Sequence, residues 1–476
     1  MGLKVESFKF SKLSKDYKLG LKDYKNLYSN GIPLKNFLLN KSYSTDILSG
    51  RTPSKFTPEY WNGEYDFITL ADVDTLTYNL NKEIQEKITE EAIDKNSNLI
   101  LVPKNSLIIS NAMTVGLAFI NDKDVYINQN VFWTKINESI INKKFLLWYF
   151  NCYIRNVFQN VYSAKYLSKQ ELSIINIPNV KLEDQKQFEK NIIPLENTIN
   201  QLNVQIEDES DIVNDVFSKY FNYDKNIIFR IHKGMTYGTQ KNGNIDFIIS
   251  HTKLSDIKDN KYRLSTRANN DLIQEIIKIL KQNNTVQLKD IVLDPIHRGK
   301  SPEYDESGAI PVIKTAHISN IGLVEEYNEF VNEEFYNKKE DSQLKVGDIL
   351  LTSTGKPSIG KITLFNKEYK AIPDGHVSII RIDEKKYNRE FLVYFMQSIL
   401  GYSQLEKEYV GCTNQIELYA DSLNAIILPD IEMEQQNRIV AEINLKLKEQ
   451  EKTKKEIIKV RNSIENIMQN LLKQYV

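Results

Sequence analysis

Residues 355–362 read Gly-Lys-Pro-Ser-Ile-Gly-Lys-Ile. A glycine, four residues and then Gly-Lys open the phosphate-binding loop of nucleotide hydrolases, in which the next residue, Ser or Thr, holds magnesium. Here that residue is Ile362. Such a loop must also follow a buried strand and open a helix, whose N-terminal amides hold the phosphates. Asp348–Thr352 reads as the strand. Past Lys361, however, Ile362–Phe365, the Asn366-Lys367 turn and Tyr369–Ile372 read as a hairpin rather than a helix. The stretch is better explained as a glycine-bearing loop between strands. Other chemistry is equally hard to assemble. His232, His251, His297, His317 and His376 show no metal-ligand spacing, and Cys152 and Cys412 stand in no nucleophile or redox motif. There is no GxGxxG, and without any Pro-Pro there is no Ser-Asp/Asn-Pro-Pro-aromatic motif of an amino-methyltransferase. These absences lean towards binding rather than catalysis.

Polar loops at strand ends are present instead, in matched places along the chain. The first set contains Arg51, Thr52, Ser54 and Lys55; Ser110, Asn111 and Thr114; Asn128 and Asn130; and Lys165 with Tyr166. The second contains His297, Arg298 and Lys300; Thr354, Lys356, Ser358 and Lys361; His376; and Thr413, Asn414 and Gln415. Arg and Lys suit guanine O6 and N7, Asn and Gln suit adenine N6 and N7, and hydroxyls and backbone amides suit phosphate. The same residue types are also common in any solvated turn.

These loops hang on a chain that is written twice. Residues 172–192 align without a gap on 423–443, matching Leu172, Ile175, Pro178, Glu183, Gln185 and Ile192 to Leu423, Ile426, Pro429, Glu434, Gln436 and Ile443. Upstream, Asn142–Tyr149 faces Asn388–Phe395, Ser106–Ser110 faces Asp348–Thr352, Gly116 faces Gly360, and Gly50 faces Gly299. Lys12–Leu19 has an echo at Lys253–Leu264, so the repeat spans about 8–221 and 247–476. Each half predicts short strands, a helix, a strand stopped at Pro178 or Pro429, a turn or cap at Asn179 or Asp430, and a long helix. Ile192, Leu195, Ile199, Leu202 and Ile206 continue a heptad seam, in which Pro194 predicts a kink or restart. Ile457, Val460, Ile464, Ile467 and Leu471 carry the same alternation. Two such stripes would remain bare unless they met, which makes an antiparallel pair the economical arrangement.

Composition sets the remaining bounds. The 476 residues are 41% apolar and 26% charged, with a formal net charge of -1. That balance argues against a wholly electrostatic nucleic-acid binder but allows local basic surfaces. Two distant cysteines and the lack of an apolar leader or of about 20 consecutive apolar residues favour a cytoplasmic protein with no membrane association.

The strand-Pro-acidic-Gln junctions at Ile175–Gln185 and Ile427–Gln436, the heptad helices and the Ile349–Gly360 strand-loop together resemble the specificity (S) subunit of Type I restriction-modification enzymes. The first half departs from the pattern, since Ser110–Gly116 keeps only the second glycine. The resemblance implies an α+β fold with two pseudo-repeated target-recognition domains, each followed by long helices that pair as an antiparallel coiled coil with pseudo-twofold symmetry. The expected divisions are 1–182 (N-terminal segment and first domain), 183–223 (central spacer helices), 224–286 (connecting segment), 287–432 (second domain) and 433–476 (C-terminal spacer helix). It implies a non-enzymatic subunit of double-stranded DNA recognition, each domain reading one half of a bipartite site while the helices set the spacing. Two methyltransferase (M) subunits would dock on it and methylate adenine N6 with S-adenosylmethionine. Where cleavage occurs, two restriction (R) subunits would add it with ATP and Mg; no cofactor is expected on this chain. Two alternatives stand beside this reading: a nucleotide hydrolase built on Gly355–Lys361, and a coiled-coil scaffold that binds no DNA.

Overall fold

The computed structural model describes residues 31–81, 83–158, 166–224, 240–241, 244–245, 271–355, 358–412 and 415–475. The echo at Lys12–Leu19 and Lys253–Leu264 lies outside them. The chain divides into two compact units that do not follow sequence order. One takes the chain up to Ile206 and again from Glu451; the other takes Glu207–Gln450 apart from residues 239–246. The division therefore runs through the helical segments, between 206 and 207 and between 450 and 451.

In the first unit the fully buried strand Leu107–Ser110 lies antiparallel between Val131–Thr134 and Ala118–Ile120, and Ile47–Leu48 extends the sheet beyond Val131–Thr134. A second sheet joins Trp61–Ile68 to Glu86–Ile88 in antiparallel fashion and to Val125–Ile127 in parallel. The second unit repeats this order. Asp348–Thr352 lies between Val377–Ile380 and Ile362–Phe365, with His297–Arg298 at the edge. Ile310–Ile313 is antiparallel to Phe330–Val331 and parallel to Ile372–Pro373. Each module is closed by pairing its first strand with its last, Ile32–Pro33 with Asn176–Ile177 and Thr285–Gln287 with Ile427–Pro429. The expected hairpin past Lys361 is corrected in one respect. Ile362–Phe365 turns back on Asp348–Thr352, whereas Ile372 belongs to the other sheet. Local β-propensity marks a strand but does not choose its partner.

A short helix follows the sheets in each unit, Lys143–Tyr149 and Arg389–Gln397, capped by the Asn142 and Asn388 side chains, which accept the Phe145 and Phe391 amides at 2.9 and 3.0 Å. The next long helices are Leu182–Asn203 and Met433–Leu472. Neither begins on Asn179 or Asp430. The turn starts at Lys181 and Glu432, whose carbonyls accept the Gln185 and Gln436 amides. The first helix runs through Pro194 without a break, and Ile206 lies past its end.

The larger core cluster of the first unit connects Ile108, Phe132, Phe145 and Tyr149 through Phe188, Ile192 and Ile199 to Ile457, Ile464, Met468 and Leu472, and a smaller one holds Phe67, Ile88, Ala92 and Tyr126. Leu195, Leu202, Val460, Ile467 and Leu471 pack against the larger one. The direction is antiparallel: the Tyr475 hydroxyl donates to Asp184 at the start of one helix, beside the end of the other. The second unit has its own antiparallel pair. Glu209–Phe221 packs Val213, Val216, Phe217 and Phe221 with Ile439, Val440 and Ile443. Its two ends are tied by Lys219 to Glu442 (2.8 Å) and by the Glu207 amide to Gln450 Oε1 (2.8 Å). Among the described residues no helix is long and apolar enough to cross a membrane.

Candidate nucleic-acid interface

The central strands of the two units end in loops with the same wiring. The Ser110 hydroxyl donates to the Thr114 carbonyl and accepts the Leu117 amide at 3.1 Å. Thr352 Oγ1 donates to the Ser358 carbonyl and accepts the Lys361 amide at 3.0 Å. The Gly116 and Gly360 amides then return to the Ser110 and Thr352 carbonyls at 3.0 and 2.9 Å, with φ of 84° and 85°. Such left-handed backbone favours glycine. The second loop is two residues longer and has Gly355 (φ 80°) three residues past Thr352; the first has Met113 (φ 58°) three residues past Ser110. The glycine missing from the first half is thus replaced by a methionine in the left-handed region, at a cost of roughly 1–2 kcal/mol. Its side chain is exposed. Past Gly360 the chain enters a strand, so no helix N-terminus is there to hold nucleotide phosphates.

Three further segments converge on each loop. The Asn111 and Ser353 amides donate to the Asn130 and His376 carbonyls at 3.0 and 2.8 Å. The Asn130 and His376 amides in turn donate to Asn128 Oδ1 and Asp374 Oδ1, both at 2.9 Å. Burial pushes the Asp374 carboxyl above its usual range, and this amide bond opposes the shift. The Leu167 and Leu418 amides donate to Asn111 and Ser353, bridging Ala112 to Tyr166 and Thr354 to Glu417. This bridge makes Glu417 the counterpart of Tyr166, in place of the expected Thr413–Gln415. A Cβ on Gly50 or Gly299 would overlap the carbonyl oxygen of Ile127 or Pro373, so both glycines let the neighbouring segment cross closely.

Three of the segments named from the sequence are therefore gathered in each unit, joined by Tyr166 in the first and by Glu417 in the second, but their side chains divide by role. In the first unit Arg51, Ser54, Lys55 and Tyr166 are exposed, and Thr52, Thr114 and Asn130 are half-buried. Ser110, Asn111 and Asn128, expected as DNA contacts, are instead buried and serve the loop itself. Their polarity satisfies backbone groups that a bent chain leaves without ladder partners. In the second unit Lys300 and His376 are exposed, and Thr354, Ser358 and Lys361 are half-buried. Thr354 Oγ1 meets His376 Nδ1 at 2.8 Å. Arg298 is half-buried and braces the cluster: it donates to the Leu418 carbonyl at 2.7 Å and faces Glu417 at 3.4 Å. His297 Nδ1 and Nε2 lie 3.0 and 2.8 Å from the carbonyls of Pro295 and Asp341. Lys165, Lys356, Thr413 and Asn414 lie outside the described residues, as does the side chain of Gln415.

Gln129, in the polar loop that the sequence already marks at Asn128–Asn130, and the exposed Phe56, which the sequence does not single out, complete the first cluster. Gln129 Oε1 accepts from Thr52 Oγ1 at 2.7 Å and its carbonyl accepts from Asn111 Nδ2 at 3.0 Å, joining three segments. Lys55 Nζ sits 3.6 Å from the Trp61 ring centroid and 2.5 Å from Glu86, fixing the turn from which Phe56 projects 99% exposed. Nothing local in the sequence marks Phe56 as exposed, since a lone aromatic usually reads as core. Among the described residues no group of three or more His, Cys, Asp and Glu is placed to hold a metal ion. The chemistry on offer is hydrogen bonding, cationic and apolar contact from paired loop clusters.

Comparison with known proteins bears on what these clusters meet. Three solved structures are similar at low identity. The S subunit of a Type-I restriction-modification system from M. genitalium is 12% identical, covering 93% of this chain and 95% of that one at a TM-score of 0.39. The HsdS subunit from Thermoanaerobacter tengcongensis is also 12% identical, covering 94% and 96% at 0.30. A chain from work on complex assembly and conformational transition of the type I R-M system is again 12% identical, covering 94% and 97% at 0.37. Independently of these, residues 45–209 and 281–462 match the Type I restriction modification DNA specificity domain. The two matches contain the two loop clusters and make up well over half of the 476 residues, so the chain belongs to the Type I restriction modification DNA specificity domain family.

Proposed function

We propose that this chain is the non-catalytic DNA-reading subunit of a Type I restriction-modification complex in the cytoplasm, each unit's loop cluster reading one half of a bipartite double-stranded site. The observation that carries this reading is the duplication of one hydrogen-bonded loop cluster, Ser110–Leu117 and Thr352–Lys361, with differing exposed side chains around each copy. Equal scaffolds with unequal contacts suit two different half-sites. Each mismatched base pair costs about 1–3 kcal/mol, roughly additively, so two such readers multiply their discrimination. The helical segments would set the half-site spacing and dock two methyltransferase subunits. Adenine N6 methylation, with S-adenosylmethionine, belongs to those partners, because a base must leave the stack to enter a catalytic pocket. ATP and Mg belong to restriction subunits where they join.

The test is an exchange of residues 34–178 for those of a relative, followed by long-read modification sequencing of cells that also carry the methyltransferase. A new sequence in one half of a split methyladenine motif, with the other half unchanged, is expected. An unchanged motif would sink the proposal.

A further inference from the structure

Behind the first loop cluster lies a polar cavity of about 240 Å3, lined among others by Tyr78, Trp148, Cys152, Arg155, Arg461 and Glu465. Arg461 is held firmly. It donates to the carbonyls of Thr75 and Leu76 at 3.2 and 3.1 Å and to the Tyr78 hydroxyl at 2.5 Å, with its guanidinium 4.5 Å from the Tyr78 ring centroid. Arg155 is in the opposite condition. Its Nε is buried and has no hydrogen-bond partner among the described residues. A buried donor without an acceptor calls for an explanation, and an ion is a common one.

The charge balance specifies the sign of that ion. Two guanidiniums face one carboxylate, Glu465. Burial pushes the Cys152 thiol up to about 12 and raises the Tyr78 phenol, so both remain neutral and add no countercharge. The volume specifies its size: at about 30 Å3 per water, the cavity has room for a small ion with a few waters and falls below the about 300–1,000 Å3 of drug-sized ligand sites. Guanidinium forks match phosphate and carboxylate oxygens in pairs. A carboxylate offers such a fork only two oxygens, whereas a phosphate meets it with two and leaves two more for the few waters that the volume admits.

We propose that this cavity binds a tetrahedral oxyanion of the phosphate class, with Arg155 as its principal ligand. The site is specific to the first unit. A Cβ on Gly116 would stand 3.2 Å from Arg155 Cα, so the residue carrying the unpartnered Nε packs behind the Ser110–Leu117 loop; at Gly360 the neighbours are Tyr409, Tyr402 and Leu405. An anion here would fix the support of the first loop and leave the second untouched. Its phosphate could be a free ion or part of a DNA backbone, and the two are separable. The binding claim does not depend on the reading of half-sites.

The experiment uses the full chain in chloride and in inorganic phosphate at equal ionic strength, by thermal unfolding and 31P line width. Phosphate is expected to raise Tm by several degrees at tenfold excess over its Kd. Arg155→Met should abolish that shift without lowering Tm in chloride, since it removes an unpaired buried donor while keeping an apolar stem. Arg155→Lys, which keeps charge but loses the fork, should bind phosphate more than tenfold more weakly. If the phosphate is that of DNA, free phosphate will give no shift, and Arg155→Met will instead lower the salt slope of duplex binding by about one. The proposal is overturned if neither phosphate nor duplex distinguishes Arg155→Met from wild type, or if that variant loses Tm equally in both buffers.

Discussion

Gln185 and Gln436 explain at the residue scale why the strand-Pro-acidic-Gln junction occurs twice. Each side chain accepts the amide of the helix-capping asparagine, Asn142 or Asn388, at 2.7 and 2.8 Å, and donates to the carbonyl of Val180 or Ile431 at 2.8 and 2.9 Å. Both glutamines are 1% exposed. A single amide thus fastens the start of a long helix to the helix preceding it, and no other side chain of that length both donates and accepts there without bringing charge. Gln436→Leu leaves a donor and an acceptor without partners and is expected to cost roughly 2–4 kcal/mol, read from the urea midpoint at unchanged m. A loss below about 0.5 kcal/mol, the usual scale of surface substitutions, would mean that the clamp has no structural importance. The glutamines were visible in the sequence as a repeat, but their task was not, because the groups they satisfy include an amide 43 residues away. The same limit applies to Ser110 and Asn111. Their types fit a DNA contact, and only the return of the chain to Thr114, Gln129 and Leu117 shows them turned inward.

At the scale of elements, periodic signals were the most legible. The spacing of Ile192, Ile199, Ile457 and Ile464 announces a buried seam, and all four are at most 2% exposed. Burial of one such side chain contributes about 1.5–3 kcal/mol, and truncating it adds the cost of a cavity. Ile464→Ala should therefore destabilise the first unit by about 2–5 kcal/mol, whereas Ile458→Ala, at a half-exposed position on the same helix, should stay within about 0.5 kcal/mol. Denaturant unfolding of the two variants checks this, and equal losses would show that the seam is misplaced. Strand partnership was less legible. The run at Tyr369–Ile372 looks like the return arm of a hairpin, yet Ile372–Pro373 pairs in parallel with Val312–Ile313. A parallel neighbour some 60 residues away leaves no mark on local alternation, since both faces of such a strand are buried. The first loop was the reverse case. It lacks the first glycine of the pattern, but Met113 accepts a left-handed φ and the hydroxyl wiring is retained.

At the scale of the whole molecule, the repeat was readable but the partition into units was not. Sequence order groups Met433–Leu472 with the module before it, while packing assigns its residues from 451 onward to the first unit. Ile457, Ile464, Met468 and Leu472 there complete a core begun by Leu34 and Leu38. Together these four side chains contribute roughly 6–12 kcal/mol of burial, which is comparable to the entire stability of a domain, about 5–15 kcal/mol. Ending the chain after Gln450 should consequently unfold a unit whose remaining residues lie hundreds of positions away. The same cut removes no residue from the second unit, whose helix pair relies on Ile439, Val440 and Ile443. Hydrogen exchange on the shortened chain is expected to lose protection over Leu182–Asn203 and Leu107–Ser110 while retaining it over Asp348–Thr352 and Val377–Ile380. Uniform loss across both sets of strands, or none in the first, would contradict the partition, because two units with separate cores respond separately when only one core is opened.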